Sequence, residues 1–332
     1  MTAKPSVRPL RPTHLVGLRA FDARPSCVEI TPPSWPRVVD GDGRLPFWSL
    51  LAQSMAHPAG RRRAWVHLGE QGIDGLIVAR VRCGGLVWDV RHLWADVEQE
   101  LVAQELLRWF CSEAAARGAR RVFLETGPDE LQLGVAARAG FERYTWAALY
   151  VAAGEAHGAA APSDRPVRAR GRGDEHVLFQ LYNAAVPGPV RAVEALTLEE
   201  WIALYKGARR WTPGLLTTRH QYVWSAGETA CAWLELASAG KTYHADWLVH
   251  PAHEDLCDAV IAHALEQANK APLYATCREY QQPLASALER AGFALLTRRA
   301  VFARQLAVRV TEPRLVAAHA RPTLGGTTYS RW

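Results

Sequence analysis

Hydrophobic and polar positions alternate along this chain with two periods, and the periods change over in the same order twice. Between residues 61 and 95, apolar residues recur at about every second position in RRRAWVHLGE, GLIVARVRCG and GLVWDVRHLWA, the mark of strands with a buried face. From residue 97 the spacing lengthens to that of an amphipathic helix, VEQELVAQELLRWFCSEAAARG, closed by Gly118. A strand RRVFLETG, a helix LQLGVAARAGF and a strand ERYTWAALYVA follow. Upstream, the pattern predicts a short strand at 6–12 and a helix from His14 to about Phe21 capped by Thr13. Residues 22–60 are interrupted by Pro25, Pro32, Pro33, Pro36 and a DGDG turn, leaving room for one helix at 47–56.

The small, polar stretch 152–165 (AAGEAHGAAAPSDR) has linker composition. Beyond it the plan recurs: a strand VRARGRG, a helix capped by Asp174, a loop and helix over 186–207, and strands HQYVWSAG, ETACAWLELAS and TYHADWLVHP. Then come a helix HEDLCDAVIAHALEQA, a strand APLYATC, a helix ending ERAGF and a last strand TRRAVFARQL. ARAGF at 137–141 and ERAGF at 289–293 place Gly140 and Gly292 292 − 140 = 152 residues apart. Two copies of one α+β unit account for the offset. The expected organisation is a first domain at 1–151, a linker at 152–165, a second domain at 166–310 and a flexible tail at 311–332.

This order of elements resembles the GNAT superfamily of acyl-CoA-dependent N-acetyltransferases, as a tandem pair. VRPLRPTHL at 7–15, LVHP at 248–251 leading into a helix, and the two RAGF ends carry the resemblance. It implies two α+β domains, each a mixed, mostly antiparallel sheet flanked by helices. It also implies that the strand before each long helix splays from its neighbour, with acyl-CoA lying in the gap. The cofactor's pantetheine would pair with that strand and its pyrophosphate would rest on the helix N-terminus. In the second copy Trp247, Leu248, Val249 and His250 would then line the cofactor, with His253 at its phosphate end, provided acyl-CoA binds at all.

The two loops depart from that pattern. A phosphate cradle uses glycines so that backbone N–H groups can close on oxygen. Here the corresponding stretches are Asp96-Val97-Glu98-Gln99-Glu100-Leu101-Val102-Ala103 and Ala252-His253-Glu254-Asp255-Leu256-Cys257-Asp258. Both set carboxylates where a diphosphate would lie, and each already satisfies the helix dipole. Two like charges roughly 4–6 Å apart, at an effective dielectric near 20, repel by on the order of 3–4 kcal/mol. That is a few hundredfold in affinity, about the margin between a useful site and none.

The family's tyrosine acid is absent as well, its places being held by Ala136 and Leu288. Tyr280 is the substitute acid within reach, and Glu235 the candidate base, expected on the same strand face as Cys231 and Trp233. The plainer readings are a half-buried aromatic and a salt-bridged glutamate. Asp246, an acid on a core strand, is a pocket candidate or an internal hydrogen-bond acceptor.

Composition narrows the field further. Six cysteines without a CxxC pair fit buried thiols in a reducing compartment, and a cytoplasmic location is expected. His250, His253 and Cys257 have suggestive spacing, but no fourth ligand accompanies them, so no metal is expected. No apolar run nears the ~20 residues of a membrane span. The net charge of +6 comes largely from scattered arginines and gives nucleic acid little support as a partner. The favoured reading is a degenerate tandem GNAT protein binding a small ligand or a protein, with no certain cofactor. The alternatives are an acetyl- or acyl-CoA-dependent transferase acting on an amine through the second domain, and a nucleic-acid-associated binder.

Overall fold

The computed structural model of the chain describes residues 7–32, 62–70, 72–96, 100–152, 165–205, 209–212 and 215–307. The helix expected at 47–56, most of the linker and the tail lie outside these residues. The strands are β1 (Val7–Pro9), β2 (Cys27–Glu29), β3 (Arg62–Gly69), β4 (Gly72–Arg82), β5 (Val87–Asp96), β6 (Arg121–Thr126) and β7 (Glu142–Ala152), then β8 (Val167–Ala169), β9 (Arg209–Thr212), β10 (Leu215–Ala226), β11 (Thr229–Ala239), β12 (Thr242–Val249), β13 (Leu273–Arg278) and β14 (Ala294–Gln305). The helices are α1 (Leu15–Asp22), α2 (Glu100–Ala116), α3 (Glu130–Arg138), α4 (Glu175–Ala185), α5 (Gly188–Glu194), α6 (Leu198–Tyr205), α7 (Cys257–Ala268) and α8 (Gln282–Arg290).

All fourteen strands among the described residues join one sheet, in the order β1-β3-β4-β5-β6-β14-β7-β13-β12-β11-β10-β8, with β2 on β5 and β9 on β10. Each copy gives its last strand to the other. β14 lies between β6 and β7, pairing Ala300 with Thr126 on one edge and with Trp146 on the other. β7 in turn pairs with β13, Leu273 opposite Ala152 and Arg278 opposite Ala147. The β7–β14 pair is the centre of a near-symmetrical arrangement, with the parallel pairs β5–β6 and β12–β13 on its two sides.

Period-two alternation sends opposite residues to the two faces of this sheet. On one face α2 and α3 cover the first copy, and α7 and α8 the second. Val102, Leu106, Phe110 and Ala114 of α2 form the apolar stripe, packed on Trp65, Trp88 and Val122. Val260, Ile261 and Ala264 of α7 pack on Leu234, Ala245 and Ala275. On the opposite face α1 covers one end and α4–α6 the other. Between those ends the opposite face carries charge.

The structure departs locally from the sequence pattern. β2 and β9 were not expected, and Asp174 makes no side-chain cap on α4. Its carboxylate instead pairs with Arg168, at 2.6 and 2.8 Å, and accepts from the Gly171 N–H. The first four residues of the helix expected at HEDLCDAVIAHALEQA, His253–Leu256, belong instead to a 3-10 helix, Pro251–Leu256, before α7 begins. No helix among the described residues is long and apolar enough to cross a membrane.

Candidate functional site

Two notches open in the sheet where its parallel pairs diverge. In the first copy β5 and β6 pair only over Val87–Val90 and Arg121–Leu124. Beyond that point β4 holds one edge of β5, with Leu76 opposite Trp94 and Gly75 opposite Ala95. The other edge, facing the notch, is taken by β2: Cys27 lies opposite Asp96, Val28 opposite Ala95 and Glu29 opposite Trp94. The ladder continues with Ile30 N–H donating to Leu93 O at 2.7 Å and Leu93 N–H to Thr31 Oγ1 at 3.1 Å. Ile30 is 1% exposed and belongs to the first copy's core. Glu29 accepts from His92 Nδ1 at 2.9 Å, and Arg24 stands 3.6 Å from the buried Asp96. Burial, with Asp22 and Asp96 nearby, pushes the Cys27 thiol up to about 12. The first notch is filled by the chain itself.

In the second copy β12 and β13 pair over Tyr243–Ala245 and Leu273–Ala275 and then part. His250 N–H donates to Cys231 O, so Trp247 and Val249 alternate to present their backbone toward the notch. Side chains cross it. Trp247 Nε1 donates to Thr276 O at 2.9 Å, and Gln281 Nε2 donates to Trp247 O at 3.0 Å. The same Gln281 amide accepts from Arg278 N–H at 2.8 Å, so its rotamer is held at both ends. At the helix start, Ala252 N–H donates to His250 Nδ1 and His253 N–H to His250 O, which uses two of the amides a phosphate would need. Asp258 pairs with Arg290 at 2.7 Å and Asp255 lies 3.9 Å from Arg165.

The charged middle of the opposite face holds a chain of three compartments, of about 320, 240 and 130 Å³. Asp246 and Arg278 line all three. The walls come from both copies: Arg80, Arg91 and Glu125 from the first, Arg219, Glu235 and Arg299 from the second. Arg219 donates to Glu235 at 2.6 Å, Arg82 to Asp89 at 2.6 Å, and Arg299 lies 3.7 Å from Glu125. Burial alone would raise the Glu125 pKa, but Arg278, Arg299 and Arg91 outweigh it and hold the carboxyl below its ordinary value. His244 donates to or accepts from Thr276 Oγ1 at 2.8 Å, and burial lowers its pKa, so it is neutral near pH 7.

Two α+β copies, each with a parallel pair that parts ahead of its long helix, match solved proteins along nearly the whole chain. A tandem GNAT protein from the clavulanic acid biosynthesis pathway superposes with a TM-score of 0.55 at 13% identity, covering 91% of this chain and 98% of that one. The fold here is a tandem GNAT fold. A GCN5-related N-acetyltransferase from Sphaerobacter thermophilus gives 0.51 at 12% identity, over 85% of this chain and 96% of that one. A functionally unknown conserved protein from Staphylococcus epidermidis gives 0.50 at 11%, over 69% and 91%. No family profile and no curated protein sequence matches the chain.

Within the tandem GNAT fold, the residues singled out from sequence fall in two places. Glu235 and Tyr280 line adjoining compartments on the charged face, which also hold Trp247 and Leu248. Val249, His250 and His253 follow the edge of the second notch toward α7. Glu235 is 5% exposed, and both its carboxylate oxygens are engaged, by Arg219 and by Gln221 Nε2 at 2.6 Å. Burial raises its pKa against the pull of Arg219. Each oxygen already accepts one of these bonds, so taking up a proton would weaken its pairing with the guanidinium. Tyr280 packs against the aromatic cluster of α4–α6, and burial raises its pKa well above the ordinary phenol value.

One expected neighbour moves. A bulge puts Cys231 between the partners of Trp224 and Ser225, so Cys231 faces the α7 core while Trp233 faces α4 and α6. Among the described residues no group of three His, Cys, Asp or Glu side chains is placed to hold a metal. Sequence reasoning missed Arg91, Glu125, Arg278 and Arg299. Their signal was a charged residue set within an otherwise apolar core strand, as in FLETG, ATCRE and TRRAVF.

Proposed function

We propose that this tandem GNAT-fold protein is a binding protein, its ligand held in the charged compartments between the copies, with no acyl transfer at either notch. The observation that carries the reading is β2, which occupies in the first copy the strand edge an acyl-CoA would need. In the second copy the Gln281 amide already bonds Trp247 O, and acids crowd the start of α7. A base candidate tied to a guanidinium and a phenol of raised pKa add no working acid–base pair. Six arginines (80, 82, 91, 219, 278 and 299) line the compartments, so this part of the positive charge is placed for a small ligand and not for a nucleic-acid backbone.

A second reading has one observation in its favour. The second notch is crossed by side chains alone, so a change in the Gln281 rotamer would expose Trp247 and Val249 to a cofactor's amides, with an amine as acceptor. Titration calorimetry with acetyl-CoA and with CoA separates the two. The binding-protein reading expects no saturable heat from the wild type or from Glu254→Arg/Asp255→Gly, which removes the repulsion at the α7 start. Micromolar binding by the wild type, tightened in that double variant, would reinstate the transferase.

A further inference from the structure

Among the described residues only Asp246 and Arg278 border all three compartments, so anything large enough to span them meets both. The middle compartment is lined by five arginines (80, 91, 219, 278 and 299) against three carboxylates, Glu125, Glu235 and Asp246. His244 adds no charge near neutral pH. Glu235 is engaged by Arg219 and Gln221, and Glu125 faces Arg299. Two guanidinium donors on this wall, Arg278 Nη1 and Arg219 Nε, are buried with no hydrogen-bond partner among the described residues. Burying such a donor is costly unless something bonds to it, and an ionised partner compensates best.

We propose that the middle compartment is an anion site, taking a carboxylate or phosphate group of a small ligand on Arg278 and Arg219, with first-copy residues closing the opposite wall. The site rests on the reading above only in using the same compartments; its chemistry is independent of whether acyl-CoA binds. It is also a composite site. Arg278 ends β13 and Arg219 lies on β10, whereas Arg80, Arg91 and Glu125 come from β4, β5 and β6 across the exchanged strands. Neither copy by itself encloses the anion. Glu125 is the wall's own acid in the position an incoming anion would contest, which sets the sign of its effect: removing its charge favours the ligand.

The test uses the full chain and two probes, inorganic phosphate and succinate, titrated calorimetrically at an ionic strength fixed with chloride. Saturable binding of either supports the site, and the better probe decides between phosphate and carboxylate. Arg278→Met should weaken the preferred probe about tenfold or more, the usual loss for one charge-assisted hydrogen bond. Glu125→Gln should tighten it, and this opposite sign keeps the test decisive should Arg278→Met fold poorly. No saturable binding of either probe, or equal binding in wild type and variants, overturns the site. Acetyl-CoA titrated into the same proteins distinguishes the two readings. Acetyl-CoA binding that survives Arg278→Met sinks the binding-protein reading and leaves the anion site standing. A wild type that binds neither probe nor acetyl-CoA sinks the anion site and leaves the binding-protein reading standing.

Discussion

The two notches arrive at the same result by different means. In the first copy a strand's worth of backbone, Cys27 to Ile30, is laddered onto β5 and anchored by a fully buried side chain. In the second, one glutamine and one tryptophan reach across an otherwise open gap. Backbone in a ladder is cooperative: displacing it breaks several hydrogen bonds and exposes Ile30 to water together. A side-chain latch gives way one bond at a time. The second notch is therefore the easier of the two to open, while Arg80, Arg91 and Glu125 of the first copy line the central compartments.

The sharpest way to break that division of labour is to separate the copies. Because β14 lies between β6 and β7, and β7 between β14 and β13, removing residues 294–332 strips a central strand from both. The expected loss is the entire folding free energy, about 5–15 kcal/mol for a cooperative unit. Circular dichroism should show no cooperative melt for residues 1–293. The intact chain should melt in one transition. A truncated protein with its own sharp transition would mean that the copies are independent domains and that the exchanged strands are incidental.

Next in size is the plug. Ile30→Ala leaves the β2 backbone in place and removes its anchor among Leu93, Val102 and Leu124, all buried. A buried Ile truncated to Ala costs about 2–5 kcal/mol, measured here as a lower urea midpoint at unchanged m-value. Gln281→Ala, the corresponding cut in the second copy, removes two hydrogen bonds at the notch and should cost about 1–2 kcal/mol. The contrast holds only if the first figure clearly exceeds the second. Equal costs would mean that both notches are closed with the same strength.

The sequence made the repeat, the order of elements and the acid-bearing helix starts legible, because each is written in local periodicity. Hidden from it were the two features that matter most for function. β2 sits among prolines and carries only three residues, too few for alternation to register, and its partners at Trp94–Asp96 are far along the chain, Val28 pairing with Ala95 across 95 − 28 = 67 residues. The exchange of β7 and β14 is a choice among strand orders that local pattern does not rank. The cavity was partly visible. Asp246 stood out as an acid on a core strand, but its companions Glu125 and Arg278 come together only once the last strands cross. Cys231 shows the converse: strict alternation assigned it a face, and a one-residue bulge reversed the assignment.

The smallest expected effect concerns the histidines of the two copies. In the first copy the buried His67 has a carboxylate partner, with Nδ1 2.5 Å from Asp74 Oδ1. In the second, His263 on α7 lies edge-on to Tyr222 and Trp224, and its Nε2 is buried with no hydrogen-bond partner among the described residues. Burial lowers the His263 pKa, and Glu266, 3.9 Å away, only partly restores it. Burial lowers that of His244 as well. The unfolded chain, with an ordinary histidine pKa of about 6.5, then takes up protons that the folded chain refuses. Stability should be constant above that pH and fall as the pH drops through it toward the lowered folded values. Urea midpoints measured between neutral and mildly acid pH give the slope directly. His263→Leu keeps the apolar contacts with Tyr222 and Trp224, removes one of the titrating groups and should flatten the slope without abolishing it, since His244 and His14, whose pKa values burial also lowers, remain. An unchanged slope would mean that His263 is protonated as readily folded as unfolded, and that the second copy's interior is wetter at α7 than its packing against β10 implies.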